Sequence, residues 1–157
     1  QLGEANFPQW SLGGDTWVVG CALPESAVMP HLNALNPDMM EARYSTPMGI
    51  YESGCGLHNL KYAYGHDEYM YQFLLHNKCK IPAEGLAMIR FHSCYPLHSG
   101  GDYERFMAPG DSEIMEWVRK FNTFDLYTKA DTRPVVEELW PHYQGLIDKF
   151  MPGKLSW

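Results

Sequence analysis

Three residues in this chain combine metal-binding side chains with apolar surroundings: His66, His92 and Asp125. Each lies in a segment of helical period and falls on its apolar stripe. His66 shares a stripe with Tyr69, Met70 and Phe73, His92 with Gly85, Met88 and Tyr95, and Asp125 with Ile114, Val118 and Phe121. A carboxylate in an apolar setting is costly unless it is paired or bound to a cation. Two neutral imidazoles beside it complete a donor set for a divalent metal. Nitrogen and oxygen donors without thiolate suit iron or manganese, and zinc equally, so ligand type alone does not choose the metal. Two core histidines and a hydrogen-bonded helix carboxylate would leave the same pattern. Lys129 follows Asp125 by one helical turn and can face the same cavity, or form a surface ion pair. Ser93 follows His92 and can donate a hydrogen bond to a ligand. The turn Gly13-Gly14-Asp15-Thr16 lacks the spacing and the Lys-Ser/Thr ending of a phosphate loop; it is either an ordinary turn or one that offers N–H groups and the Asp15 carboxylate to a polyol. Asp67 and Glu68 point about 100° apart from their neighbours on a helix and cannot join His66 on one ion, so they read as outer carboxylates or solvated ones. The other five histidines, His31, His58, His76, His98 and His142, read as loop or polar-face residues.

Four helices must position these groups. The periodicity predicts helices over about 65–77, 82–94, 111–125 and 134–150. Pro82 lies in the first turn of the second and Pro96 stops it, Asp111 or Ser112 caps the third, and a bend falls at Trp140-Pro141 in the fourth. Residues 1 to about 60 carry Pro8, Pro24, Pro30, Pro37, Pro47 and repeated glycines, which leave room for no ordinary helix and only a short extended segment at 16–19. That region holds too many large apolar residues to be a flexible linker and is expected to drape over the core. The fold class is therefore mainly α, a helical bundle with a loop-rich first part.

The 157 residues form one domain by length, with 45% hydrophobic and 20% charged residues. Twelve basic residues against nineteen acidic ones give a formal charge of −7, which argues against nucleic acid or an anionic membrane as partner and for a small neutral substrate. No segment approaches the ~20 apolar residues of a membrane span, and no signal peptide opens the chain, so a cytoplasmic monomer is expected. The four cysteines form no CxxC pair and read as reduced thiols. The chain opens at Gln1 in a loop-like stretch without Met, so it is expected to be the C-terminal part of a longer protein.

The segments PQWSLGGDTWVVGC, ARYSTPMGIYESGCGL, YGHDEYMYQFL, MIRFHSCYPLHSGGDY, WVRKFNTFDLYTKA, HYQGLIDKF and PGKLSW resemble the myo-inositol oxygenase family from end to end. The resemblance implies an HD-domain-like helical fold and a mixed-valent Fe(II)/Fe(III) di-iron centre. It implies oxidative ring cleavage of myo-inositol by O2, the co-substrate, to D-glucuronate and water. Carried over residue by residue, His66 and His92 would bind one iron and Asp125 the other. Gly14, Asp15, His92 and Ser93 would contact the substrate, with Lys129 a catalytic residue beside it. The family carries an upstream part with a further histidine, a His-Asp pair whose aspartate bridges the irons, a substrate-binding lysine and an acidic segment. None of these occurs in the 157 residues, so the chain alone is expected to be inactive, to fail to assemble the di-iron centre and to be poorly stable. Two other readings stay open: a metal-dependent phosphohydrolase of the same helical superfamily, and a non-catalytic helical fragment.

Overall fold

A computed structural model of the chain describes residues 15–125, 134–151 and 153–157. Five helices follow one another: α1 (His66–His76), α2 (Ala83–Phe91), α3 (Tyr95–His98), α4 (Asp111–Asp125) and α5 (Val136–Phe150). Short 3-10 turns occupy the first part at Pro30–Leu35, Pro37–Met40 and Leu57–Asn59. The described residues contain no strand; Val18 and Tyr62 form one isolated antiparallel bridge where a short extended segment was expected. The molecule is mainly helical, as the periodicity predicts.

α1 packs on α2, and α2 on α4. Their shared core is built from Phe91 and Ala87 of α2, Met115 and Val118 of α4, and Leu57, Leu60, Tyr103 and Phe106 from the connections, each 2% exposed or less. The loop-rich first part covers this core, as expected: Val18 is fully buried, its N–H donates to the Tyr103 hydroxyl (3.2 Å), and Val19 N–H donates to Lys61 O (2.8 Å). Asp111 ties the start of α4 to the preceding loops, because its Oδ2 accepts the N–H groups of Leu57 (2.9 Å) and Ala108 (2.8 Å).

Several local expectations need correction. Pro96 does not stop α2. It stands in the first turn of α3, where a missing N–H costs nothing, and α2 has already ended at Phe91. The buried face of α1 is Asp67, Glu68, Phe73 and Leu74, while His66, at its first position, is exposed. Of these two inward carboxylates, Glu68 is paired by Arg90, a buried cation on α2 whose Nε donates to Glu68 Oε2 (2.7 Å). α5 buries none of its described side chains, and its apolar Val136, Leu139, Trp140 and Tyr143 remain 40% to 60% exposed. It is joined to α1 beyond its own end: Lys80 N–H donates to Phe150 O (2.7 Å), Asn77 pairs with both backbone groups of Ser156, and Trp157 stacks on Phe73 at 4.4 Å.

Candidate functional site

The start of α1 and the end of α2 bring His66 and His92 together. Their Nε2 atoms stand 3.2 Å apart, with ring centroids at 5.1 Å and planes at 76°. The geometry identifies the donor nitrogen of His92. Its Nδ1 lies 2.8 Å from Ile89 O, and a carbonyl only accepts, so Nδ1 carries a proton and Nε2 is the nitrogen turned toward His66. That is the arrangement of a metal-ligating histidine, whose second nitrogen donates to a carbonyl and holds the ring in place. Ser93 completes the cluster with Oγ 3.2 Å from His66 Nε2. Phe121 of α4 meets the His92 ring edge-on at 6.1 Å.

The remaining predicted residues are distributed unevenly. Asp125 is exposed at the last position of α4, away from the buried face formed by Asp111, Met115 and Val118. It does not occupy the core position that its stripe suggested, because that face turns toward Met115 rather than Phe121. Asp15 lies beside Thr16, whose N–H donates to Ser93 O (2.9 Å) and whose Oγ1 donates to Ala63 O (3.3 Å), so the first loop is fastened to the residue that follows His92. Asp15 Oδ2 accepts Val28 N–H at 3.3 Å, its Oδ1 is buried with no partner, and burial pushes its carboxyl above the usual range. Gly14 and Lys129 lie outside the described residues.

Two residues near the pair carried no signal in the apolar pattern. Asp67 is 1% exposed; Oδ1 accepts Glu68 N–H (2.8 Å) and Oδ2 has no hydrogen-bond partner. Burial raises its pKa against the opposing pull of His66 and His92. His98, read from sequence as a polar-face residue, is 4% exposed within α3, and burial, Arg119 and His92 depress its pKa. Arg90 was legible in principle. It shares an i, i+3, i+4 spacing with Ala87 and Phe91, so a charge on that face demanded a buried partner.

A divalent ion between two convergent imidazole nitrogens is chemically suited to this donor set, and the buried orphan oxygen of Asp67 adds unsatisfied acceptor capacity nearby. The pair supplies two positions. Among the described residues no group of three or more His, Cys, Asp or Glu side chains gathers as a complete metal site.

The described residues thus form a helical scaffold that brings two histidine side chains together from neighbouring helices. The chain belongs to the myo-inositol oxygenase family, whose model matches residues 4–157. It is 50% identical over 151 residues to the inositol oxygenases of Mus musculus and Homo sapiens, which covers 96% of this chain and 53% of each relative. The probable inositol oxygenase of Oryza sativa subsp. japonica is 45% identical over 96% of this chain and 49% of that protein. The chain thus spans about half the length of the curated relatives it matches. No helix among the described residues is long and apolar enough to cross a membrane.

Proposed function

We propose that this chain forms part of an inositol oxygenase that cleaves the ring of myo-inositol with O2 to give D-glucuronate and water. The observation that carries the reading is the family match over residues 4–157 joined to the convergent Nε2 atoms of His66 and His92. In this reading His66 and His92 hold one of two iron ions, and Asp125 belongs to the other. The ions supply Lewis acidity and one-electron chemistry toward O2. The protein's own part is positional. Ile89 O holds the His92 ring through Nδ1–H, and Ser93, whose Oγ lies 3.2 Å from His66 Nε2, is assigned a hydrogen bond to a substrate hydroxyl. The Asp15 carboxylate, with one oxygen free, can accept from another hydroxyl, and Gly14 can offer its backbone beside it. Lys129 is assigned a catalytic place near the substrate. The reading extends to a cytoplasmic monomer, and an acidic balance of −7 suits a neutral polyol better than a polyanion.

The test is inositol-dependent O2 uptake with glucuronate detection, using the protein expressed from its whole reading frame and supplied with Fe(II) and a reductant. One glucuronate per O2 is expected, with loss of at least about a thousandfold in H66A and H92A. No uptake from a protein that binds two metal ions would favour the phosphohydrolase, and a protein that binds no metal would favour a non-catalytic helical part.

A further inference from the structure

The carbonyl of His92 is an orphan created by the sequence. In a continuing helix it would accept the N–H of residue 96, but residue 96 is Pro96, which has none. The structure fills this vacancy from farther along. His98 Nε2 lies 2.9 Å from His92 O, and because a carbonyl only accepts, Nε2 carries the proton. The Ser99 hydroxyl, 2.9 Å from His98 Nδ1, then donates to the other ring nitrogen and completes that tautomer. Arg119 Nε of α4 donates to His98 O at 2.9 Å and holds α3 in place, while Asn122 Nδ2 of α4 makes a longer second donation to His92 O at 3.5 Å.

The peptide held in this way is the one between His92 and Ser93. Both side chains that meet His66 Nε2 at 3.2 Å hang from it, the His92 ring on one side and Ser93 Oγ on the other. We infer that His98 is a positioning residue for the histidine pair, setting the His92–Ser93 peptide by donating Nε2–H to the His92 carbonyl. The inference rests on the reading of His66 and His92 as metal ligands. His98 itself touches neither metal nor substrate. Without its donor the His92 carbonyl keeps only the longer donation from Asn122 Nδ2 at 3.5 Å, and the peptide turns toward whatever donor or water it can reach, carrying both site groups with it.

The experiment is titration with Co(II) alone, followed by visible absorption, of the protein expressed from its whole reading frame after its iron is removed by chelation. H98L, H98N, H98Q and H92A are compared, with a thermal melt on each. A Gln amide reaches the place of Nε2, whereas an Asn amide reaches only that of Nδ1. H98L and H98N are expected to fold and to weaken by about tenfold the binding of the Co(II) equivalent that H92A loses; H98Q should stay within about threefold of wild type. Wild-type binding by a folded H98L or H98N overturns the inference, as does an H98Q that unfolds or binds as weakly as H98N. If H98L and H98N fail to fold while H98Q folds, the carbonyl's donor is structural and the positioning role is likewise overturned. Wild-type binding by H92A instead removes the metal reading of the pair, whatever His98 does.

Discussion

Arg90 and Glu68 form a buried ion pair across α1 and α2, Nε to Oε2 at 2.7 Å, each two residues from one of the paired histidines. The guanidinium also donates to the carbonyls of His58 (3.1 Å) and Leu60 (3.4 Å) and lies against the rings of Tyr71 and Tyr62 at 4.5 and 5.0 Å. Glu68 Oε1 is shared with the Gln72 amide at 2.7 Å. Removing one partner of such a pair strands the other charge in the interior. R90M is expected to lose about 3–5 kcal/mol in urea denaturation, and the double variant E68L/R90M to lose distinctly less. Equal losses in the single and double variants would show that the pairing is not what matters.

Gly49 is predicted to be irreplaceable. Its φ is +54°, and an added Cβ would sit 1.8 Å from Gly20 O and 2.5 Å from Cys21 Cα. These are backbone atoms that cannot yield to a side-chain rotation, and Ile50 N–H already binds the same Gly20 O at 3.0 Å. G49A should cost more than about 4 kcal/mol and leave little folded protein. Gly110 serves as the control: its φ is +96°, but nothing lies within 4 Å of an added Cβ. G110A should cost only about 1–2 kcal/mol, the conformational part alone, by the same denaturation measurement.

Asp111 gives a graded test. Both of its hydrogen bonds fall on one oxygen, Oδ2, so an Asn that keeps its carbonyl there keeps both acceptances, though without the charge. D111N is expected to lose about 1 kcal/mol and D111A about 3 kcal/mol. Hydrogen exchange at the Leu57 and Ala108 amides should accelerate in D111A and change little in D111N.

Asp15 should give stability a pH slope. Its carboxyl is raised from 3.8, chiefly by burial. Between that value and the raised one the folded chain retains a proton that the unfolded chain has released, so stability falls as pH rises through the window. Above it the cost of the buried charge is fully present. D15N removes the slope and should be the more stable protein at pH 7. The check is urea denaturation of both proteins from pH 4 to 7. Parallel profiles would contradict the assignment.

The helices were legible because helical period survives in a single sequence. The faces were less so. On α1 the apolar stripe through His66, Tyr69 and Met70 pointed inward by count, yet the structure buries Asp67 and Glu68 instead, and for Glu68 the partner is Arg90, which the helix's own sequence does not contain. The exposed position of Asp125 has a related reason: a heptad-like stripe fixes a direction only to within one side chain, and α4 turns Met115 inward. The meeting of His66 with His92 agrees with the sequence argument, although it occurs at helix ends rather than deep in a core. His98 and the His92 carbonyl lay beyond pattern reading, because a proline's missing N–H matters only once the fold decides what lies opposite. The apolar face of α5 was correctly recognised as a face, but a face does not state what covers it, and its side chains remain exposed.

The fastening of the first loop has a consequence for how the protein is made. Val18 N–H finds the Tyr103 hydroxyl 85 residues later, and Thr16 N–H finds Ser93 O nearly as far on. At about 5–20 residues per second, a ribosome needs roughly 4–17 s after producing Val18 to produce Tyr103. Until the end of that interval Val18 and its neighbours lack the Tyr103 partner that fastens them in the fold. A nascent chain of this protein therefore passes through a stage in which the segment around Val18 lacks the partners it has in the fold, and the tempo of translation across residues 18–103 bears on its yield.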